Sequence, residues 1–156
     1  MKKYTTFVGV VMIVFALIAF VVGGIYVWQG WSKYQLIQKQ AGEEKIQLGL
    51  SEEQAKSGEI VDTFSKFDNA ANTIREHRMS IAKTYTEALD GKKFDPTNPK
   101  ELTYAQAMNI ENALHVAMLS FGLSMTMIGN GLFFLMAGVA MLLIGIYMML
   151  RSKQEA

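Results

Sequence analysis

Apolar residues run unbroken through two stretches of the chain, and in a third they recur at helical spacing. From Asn112 to Leu150 no Asp, Glu, Lys or Arg appears. A helix over that stretch is roughly 55 to 60 Å long, about twice a ~30 Å hydrocarbon core. Only part of it can lie in lipid. Counting back about 20 residues from the Arg151 and Lys153 anchor predicts a span over 130–150, with Tyr147 at the interface. The segment from Leu114 to Ile128 then projects beyond the membrane and needs protein to cover it. The other unbroken run, 7–27, follows Lys2 and Lys3 and leads into Tyr26, Trp28 and Trp31. A signal peptide also starts with positive charge, but its apolar core is shorter, about 7 to 15 residues, and ends at a small-x-small site. The greater length and the aromatic belt predict an uncleaved anchor helix, with a cleaved leader as the alternative.

Between these runs the pattern changes period. The first helix is expected to continue to about Ala41, with Gly42 as its stop. The polar stretch 43–58 is punctuated by Gly49 and Gly58, and only Ile46, Leu48 and Leu50 alternate as a short strand would. Phe67, Ala71, Ile74, Ile81, Tyr85 and Ala88 then predict one helix from Asp62 to Leu89. Arg78 interrupts its apolar stripe: either it pairs with a carboxylate such as Glu111, or the face is rotated and the side chain snorkels to water. Asp90 and Gly91 end the helix. Asp95-Pro96-Thr97-Asn98-Pro99 reads as a turn in which Asn98 caps a last helix with Pro99 at its first position.

The predicted fold is an all-α membrane protein, a two-helix transmembrane hairpin with a small helical extramembrane bundle between the spans. Its parts are a cytoplasmic start at 1–6, a first span at 7–27, an extracytoplasmic helical region at 28–129, a second span at 130–150 and a cytoplasmic end at 151–156. Lys2 and Lys3 at one end and Arg151 and Lys153 at the other place both termini in the cytoplasm, although Lys33, Lys39 and Lys45 near the first span weaken the bias. The expected location is the cell membrane.

Small residues predict how the spans meet. Gly9, Ala16, Gly23 and Gly30 recur every seven positions, as do Gly131, Gly138 and Gly145. A seven-residue repeat keeps one seam facing a neighbour, and glycine lets backbones approach where lipid supplies no hydrophobic drive. An antiparallel register sets Gly9 on Gly145, Ala16 on Gly138, Gly23 on Gly131 and Gly30 on Ser124. Two other readings stay open: glycine is common in membrane helices, or the seams serve another subunit.

Composition narrows the function without naming it. The 156-residue chain carries 15 basic and 14 acidic residues, a net charge of +1, and these alternate instead of forming a basic stripe, so nucleic acid is not an expected partner. Without cysteine there are no disulfides, thiolate ligands or iron–sulfur clusters. Glu111 and His115 lie four apart on one helical face, and Glu76 and His77 sit on another helix, so the four could converge on a metal. The paired Glu-x-x-His motif of di-metal bundles is absent, and a hydrogen-bonded helix contact is the plainer reading. Ser80 and Ser120 have no nucleophile setting. The methionines of the last helix offer thioethers for Cu(I), or adaptable packing. Asn130, between two glycines, is placed to hydrogen-bond across helices or to break one. No chain of ionisable groups crosses the bilayer, which argues against an ion pathway in one copy.

Lys45-Ile46 after the anchor, Ile74 to His77, Thr84-Tyr85 before Asp95-Pro96, and Ala113-Leu114 leading through Ser120-Phe121-Gly122 into the final span carry a resemblance. The chain resembles small two-span bacterial membrane proteins of unassigned function that often bear the label aromatic ring-opening dioxygenase. It departs from them in its longer middle and in His115. The label implies an iron site of two histidines and one carboxylate. The chain has two histidines in all, on separate predicted helices, so ring cleavage is not expected. The expected function is that of a non-enzymatic accessory or scaffold subunit without a cofactor, whose partners are the lipid bilayer and other membrane subunits or further copies of itself. The alternative is a membrane protein binding a metal or small ligand through Glu76, His77, Glu111 and His115, either as a binding protein alone or as an enzyme.

Overall fold

A computed structural model describes residues 2–154. Met1 and residues 155–156, which belong to the expected cytoplasmic ends, lie outside the described residues. Every regular element is helical: α1 (Lys2–Glu44), α2 (Glu52–Lys56), α3 (Phe64–Ile81), α4 (Tyr85–Ala88) and α5 (Pro99–Gln154), with no strand among the described residues. Both α1 and α5 are long and apolar enough to cross a membrane. The chain divides into two compact units. One joins α1 up to Lys33 to α5 from Leu123 onward, and the other comprises Tyr34–Gly122.

In the first unit the two helices touch along a narrow line of small side chains. Gly9, Ala16, Gly23, Gly30, Ser124, Gly131, Gly138 and Gly145 are all buried. Most of the remaining surface is apolar and open: Phe7, Phe15, Leu17, Val21, Phe133 and Met136 are each more than half exposed. Only 22% of the most apolar window of α1 and 11% of that of α5 is buried. The core helix of a water-soluble domain buries far more, because apolar surface left in water is unfavourable by about 25 cal/mol per Å².

The second unit has an ordinary core. Phe67, Ala70, Ala71 and Ile74 of α3, at three-and-four spacing, pack with Ala41 of α1 and with Ala107, Leu114, Met118 and Phe121 of α5. Phe121 meets Tyr34 edge-on at 5.2 Å and Phe67 at 5.5 Å between ring centroids. A smaller cluster of Ala82, Ala88 and Tyr104 lies at the other end of α3.

Four expectations are corrected. The helix expected over 62–89 is two helices: Ala82 takes an extended conformation (φ −161°, ψ 145°), which buries it beside Tyr104, and Thr84 starts α4 by accepting the Glu87 N–H. Glu87 in turn accepts the Lys83 N–H at 3.0 Å. Gly42 does not stop α1. The helix continues to Glu44 and ends where Lys45 turns left-handed (φ 47°). Ile46, Leu48 and Leu50 form no strand. Ile46 and Leu50 reach the core from a loop held by the Val61 N–H to Ile46 C=O bond at 2.8 Å, and Leu48 is 39% exposed. Within the polar stretch, Ser51 and Gln54 cap the short helix α2 reciprocally, an element absent from the expectation.

Candidate functional site

The small-residue seam of the first unit is close-packed backbone to backbone. A Cβ built on Gly23 stands 2.8 Å from the Gly131 carbonyl oxygen, and one on Gly30 stands 2.8 Å from that of Ser124. One on Gly9 stands 3.0 Å from the Gly145 oxygen, and one on Gly138 stands 3.2 Å from the Ala16 oxygen. No larger side chain fits at Gly23 or Gly30 without moving the partner backbone. At one end of this line the Thr6 and Ser152 hydroxyls are 2.7 Å apart.

In the second unit the charged side chain that breaks the α3 stripe is paired. Arg78 Nε donates to Glu111 Oε2 at 2.7 Å, an N–H of its Nη1 donates to the Tyr104 hydroxyl at 2.6 Å, and the guanidinium carbon lies 5.3 Å from the Tyr104 ring centroid. The Arg78 and Glu111 side chains are only 16% and 10% exposed. The Glu111 hydrogen bond raises the Arg78 pKa above its ordinary value, burial opposes this, and the Tyr104 contact adds to the rise. The centre carries a compensated charge and behaves as a structural clamp between α3 and α5.

This pairing decides where the candidate ligands stand. Glu111 is buried and engaged by Arg78, while Glu76, His77 and His115 are exposed. Among the described residues no three His, Cys, Asp or Glu side chains converge as a metal-binding group. The methionines are dispersed: Met118 is in the core, and Met125 and Met136 are 59% and 66% exposed.

The turn before α5 is a hydrogen-bonded knot. Asp95 accepts from the Thr97 hydroxyl at 2.7 Å and the Thr97 N–H at 2.9 Å, and buried Glu101 accepts from the Asp95 N–H and the Asn98 side-chain amide. The Thr97 hydroxyl, followed by its N–H, holds the Asp95 carboxyl below the ordinary carboxylate range. Lys66 sits between Glu59 at 2.7 Å and Asp62 at 2.9 Å, which in that order raise its pKa, while burial opposes the rise.

An apolar cavity of about 360 Å³ opens in the second unit between Ile37 and Ala41 of α1, Ile46, Phe67, and Leu114 and Ala117 of α5. The polar side chains lining it are Gln40 and Glu44. Its size is at the low end of ligand sites, roughly 300–1,000 Å³. Comparison of the chain with protein-family models, with curated proteins and with solved structures finds no match.

The sequence reading named the seam residues and offered the Arg78–Glu111 pair as one of two outcomes for Arg78, but it missed Tyr104 as the second acceptor for Arg78. One signal was available. Tyr104 lies seven residues before Glu111, two turns along the same helical face. It also missed the cavity, which is assembled from distant segments and has no local sequence pattern.

Proposed function

We propose that the chain is a non-enzymatic integral membrane protein, acting as an accessory or scaffold subunit of a larger membrane complex or as a homo-oligomer. Its α1 and α5 form an antiparallel transmembrane hairpin through the glycine seam. The Tyr34–Gly122 unit stands on the extracytoplasmic side, and Lys3, Arg151 and Lys153 lie on the cytoplasmic side. The observation that carries this reading is the extent of uncovered apolar surface on α1 and α5. Lipid covers about 30 Å of it. Val116 and Leu119, 61% and 74% exposed, belong to the part of α5 beyond the span and call for a protein partner. A span over 7–27 on α1, with Gly9 against Gly145 and Gly23 against Gly131, faces 127–147 on α5, a few residues before the 130–150 reached by counting from the C-terminal anchor.

Extraction of the full chain in mild detergent at native expression level, followed by native mass analysis, tests this. A stoichiometric set of other membrane subunits, or a defined oligomer of the chain, is the expected result. A monomer carrying a bound metal or small molecule would overturn it and favour the reading through Glu76, His77, Glu111 and His115. That reading requires Glu111 to leave Arg78.

A further inference from the structure

Beside the seam that meets α1, α5 carries another set of positions at heptad spacing: Leu123, Thr126, Asn130, Phe133, Ala137 and Ile144. All are exposed except half-buried Ala137. Up to Ala137 they alternate in steps of three and four as the a and d positions of a helix pair do, Ile144 follows one heptad on, and the set holds one strongly polar residue. The same spacing continues toward the start of α5 through exposed Leu119 and Val116.

Asn130 distinguishes this face from a surface that merely meets lipid. Its side-chain amide has no hydrogen-bond partner among the described residues. With Gly30 against Ser124 and Gly23 against Gly131, Trp28 stands level with residue 126. Asn130 therefore lies roughly 6 Å to the hydrocarbon side of that aromatic level, four helical residues on. Acyl chains offer no donor or acceptor there, and an unpaired carboxamide in such surroundings is unfavourable.

Copies inserted in the same orientation bring equal residue numbers to equal depth. A two-fold axis along α5 then sets Asn130 against its own counterpart. Carboxamides are self-complementary, since each has N–H donors and a carbonyl acceptor. One asparagine in an otherwise apolar heptad seam also fixes register, because any slip separates the two amides. Phe133 borders an apolar recess of about 310 Å³ whose α1 wall includes Phe15 and Ile18, which gives the flank of a second helix a place to pack.

We propose that this face of α5 is a homodimer interface, in which two copies pair α5 in parallel with their Asn130 side chains hydrogen-bonded to each other. The inference rests on the membrane-spanning part of the function proposed above and names the partner as a second copy.

The test uses the full chain in native-like vesicles. Because the sequence contains no cysteine, single replacements report cleanly. Oxidation is expected to crosslink Leu123→Cys, Thr126→Cys and Phe133→Cys copies to one another and to leave Leu132→Cys and Val139→Cys monomeric. Separately, Asn130→Ala is expected to weaken dimerisation, followed by energy transfer between labelled copies on dilution with lipid, by roughly three- to tenfold. Asn130→Gln should retain part of the affinity. Crosslinking without that phase, or a dimer fraction that Asn130→Ala leaves unchanged, overturns the interface. If the chain travels with other membrane subunits but shows no crosslink between copies, the subunit reading stands and this proposal fails. If no vesicle-inserted chain is recovered, both fail.

Discussion

The Arg78–Glu111 pair illustrates how one residue depends on its partner. Removing the carboxylate charge leaves a guanidinium 16% exposed without a counter-ion, its N–H groups donating only to neutral oxygens. Glu111→Gln is expected to destabilise the protein by about 2 kcal/mol, read as a shift of the unfolding midpoint of the full chain in detergent. The double replacement Arg78→Met with Glu111→Leu should recover most of that loss, since it removes both charges and keeps the volume. No recovery would mean that packing around Tyr104, and not charge, sets the cost. Asp95 carries a pH dependence of definite sign. Its carboxyl is held below the ordinary range, so the stabilisation is present above the ordinary carboxyl pKa and is lost as the pH falls through the lowered value. Thr97→Ala should move the Asp95 titration, followed by NMR, part of the way back toward the ordinary range, because the backbone N–H of residue 97 still donates to the carboxylate. An unmoved titration would remove Thr97 as the cause.

Among elements, the contact between α1 and α5 is the most demanding, because each helix presents backbone to backbone and has little room to adjust. A Cβ on Gly23 already stands 2.8 Å from the Gly131 oxygen and 3.0 Å from Leu135 Cγ. The pair Ala16→Cys and Gly138→Cys is expected to form a disulfide in an otherwise unaltered chain, and Gly23→Leu should force the helices apart and abolish it. Persistence of that disulfide at the same rate would show that the seam is not close-packed there. The same elements show what was legible locally. The seven-residue repeat named both sides of the seam, and the Asp95 to Pro99 turn marked the start of α5. The break between α3 and α4 was written as Thr84-x-x-Glu87, a capping pair, but the apolar spacing through Ile81, Tyr85 and Ala88 ran across it. Burial of Ala82 against Tyr104 settles that conflict in favour of the break.

At the scale of the whole molecule, sidedness is read at the turn before α5. A single Thr97→Cys replacement in the tight turn before α5 should react with an impermeant thiol reagent in intact cells, while a cysteine at Lys153 should not. The reverse labelling pattern would place the Tyr34–Gly122 unit in the cytoplasm. This measurement is independent of the partner, because it reads which side the turn occupies and not what touches α5.

The sequence by itself determined the two long apolar helices, the repeat of small residues along them, and the absence of charge from Asn112 to Leu150. These are local properties: hydrophobic period, side-chain size and helix rise act within a few turns of one segment. Tertiary structure alone decided that Arg78 is paired and not solvated, that Tyr104 joins it, that Ala82 leaves the helix, and that Glu111 is separated from His77 and His115 in its chemistry. Each of those outcomes depends on which faces of α3 and α5 are brought together, and helical spacing fixes a face only to within its own element.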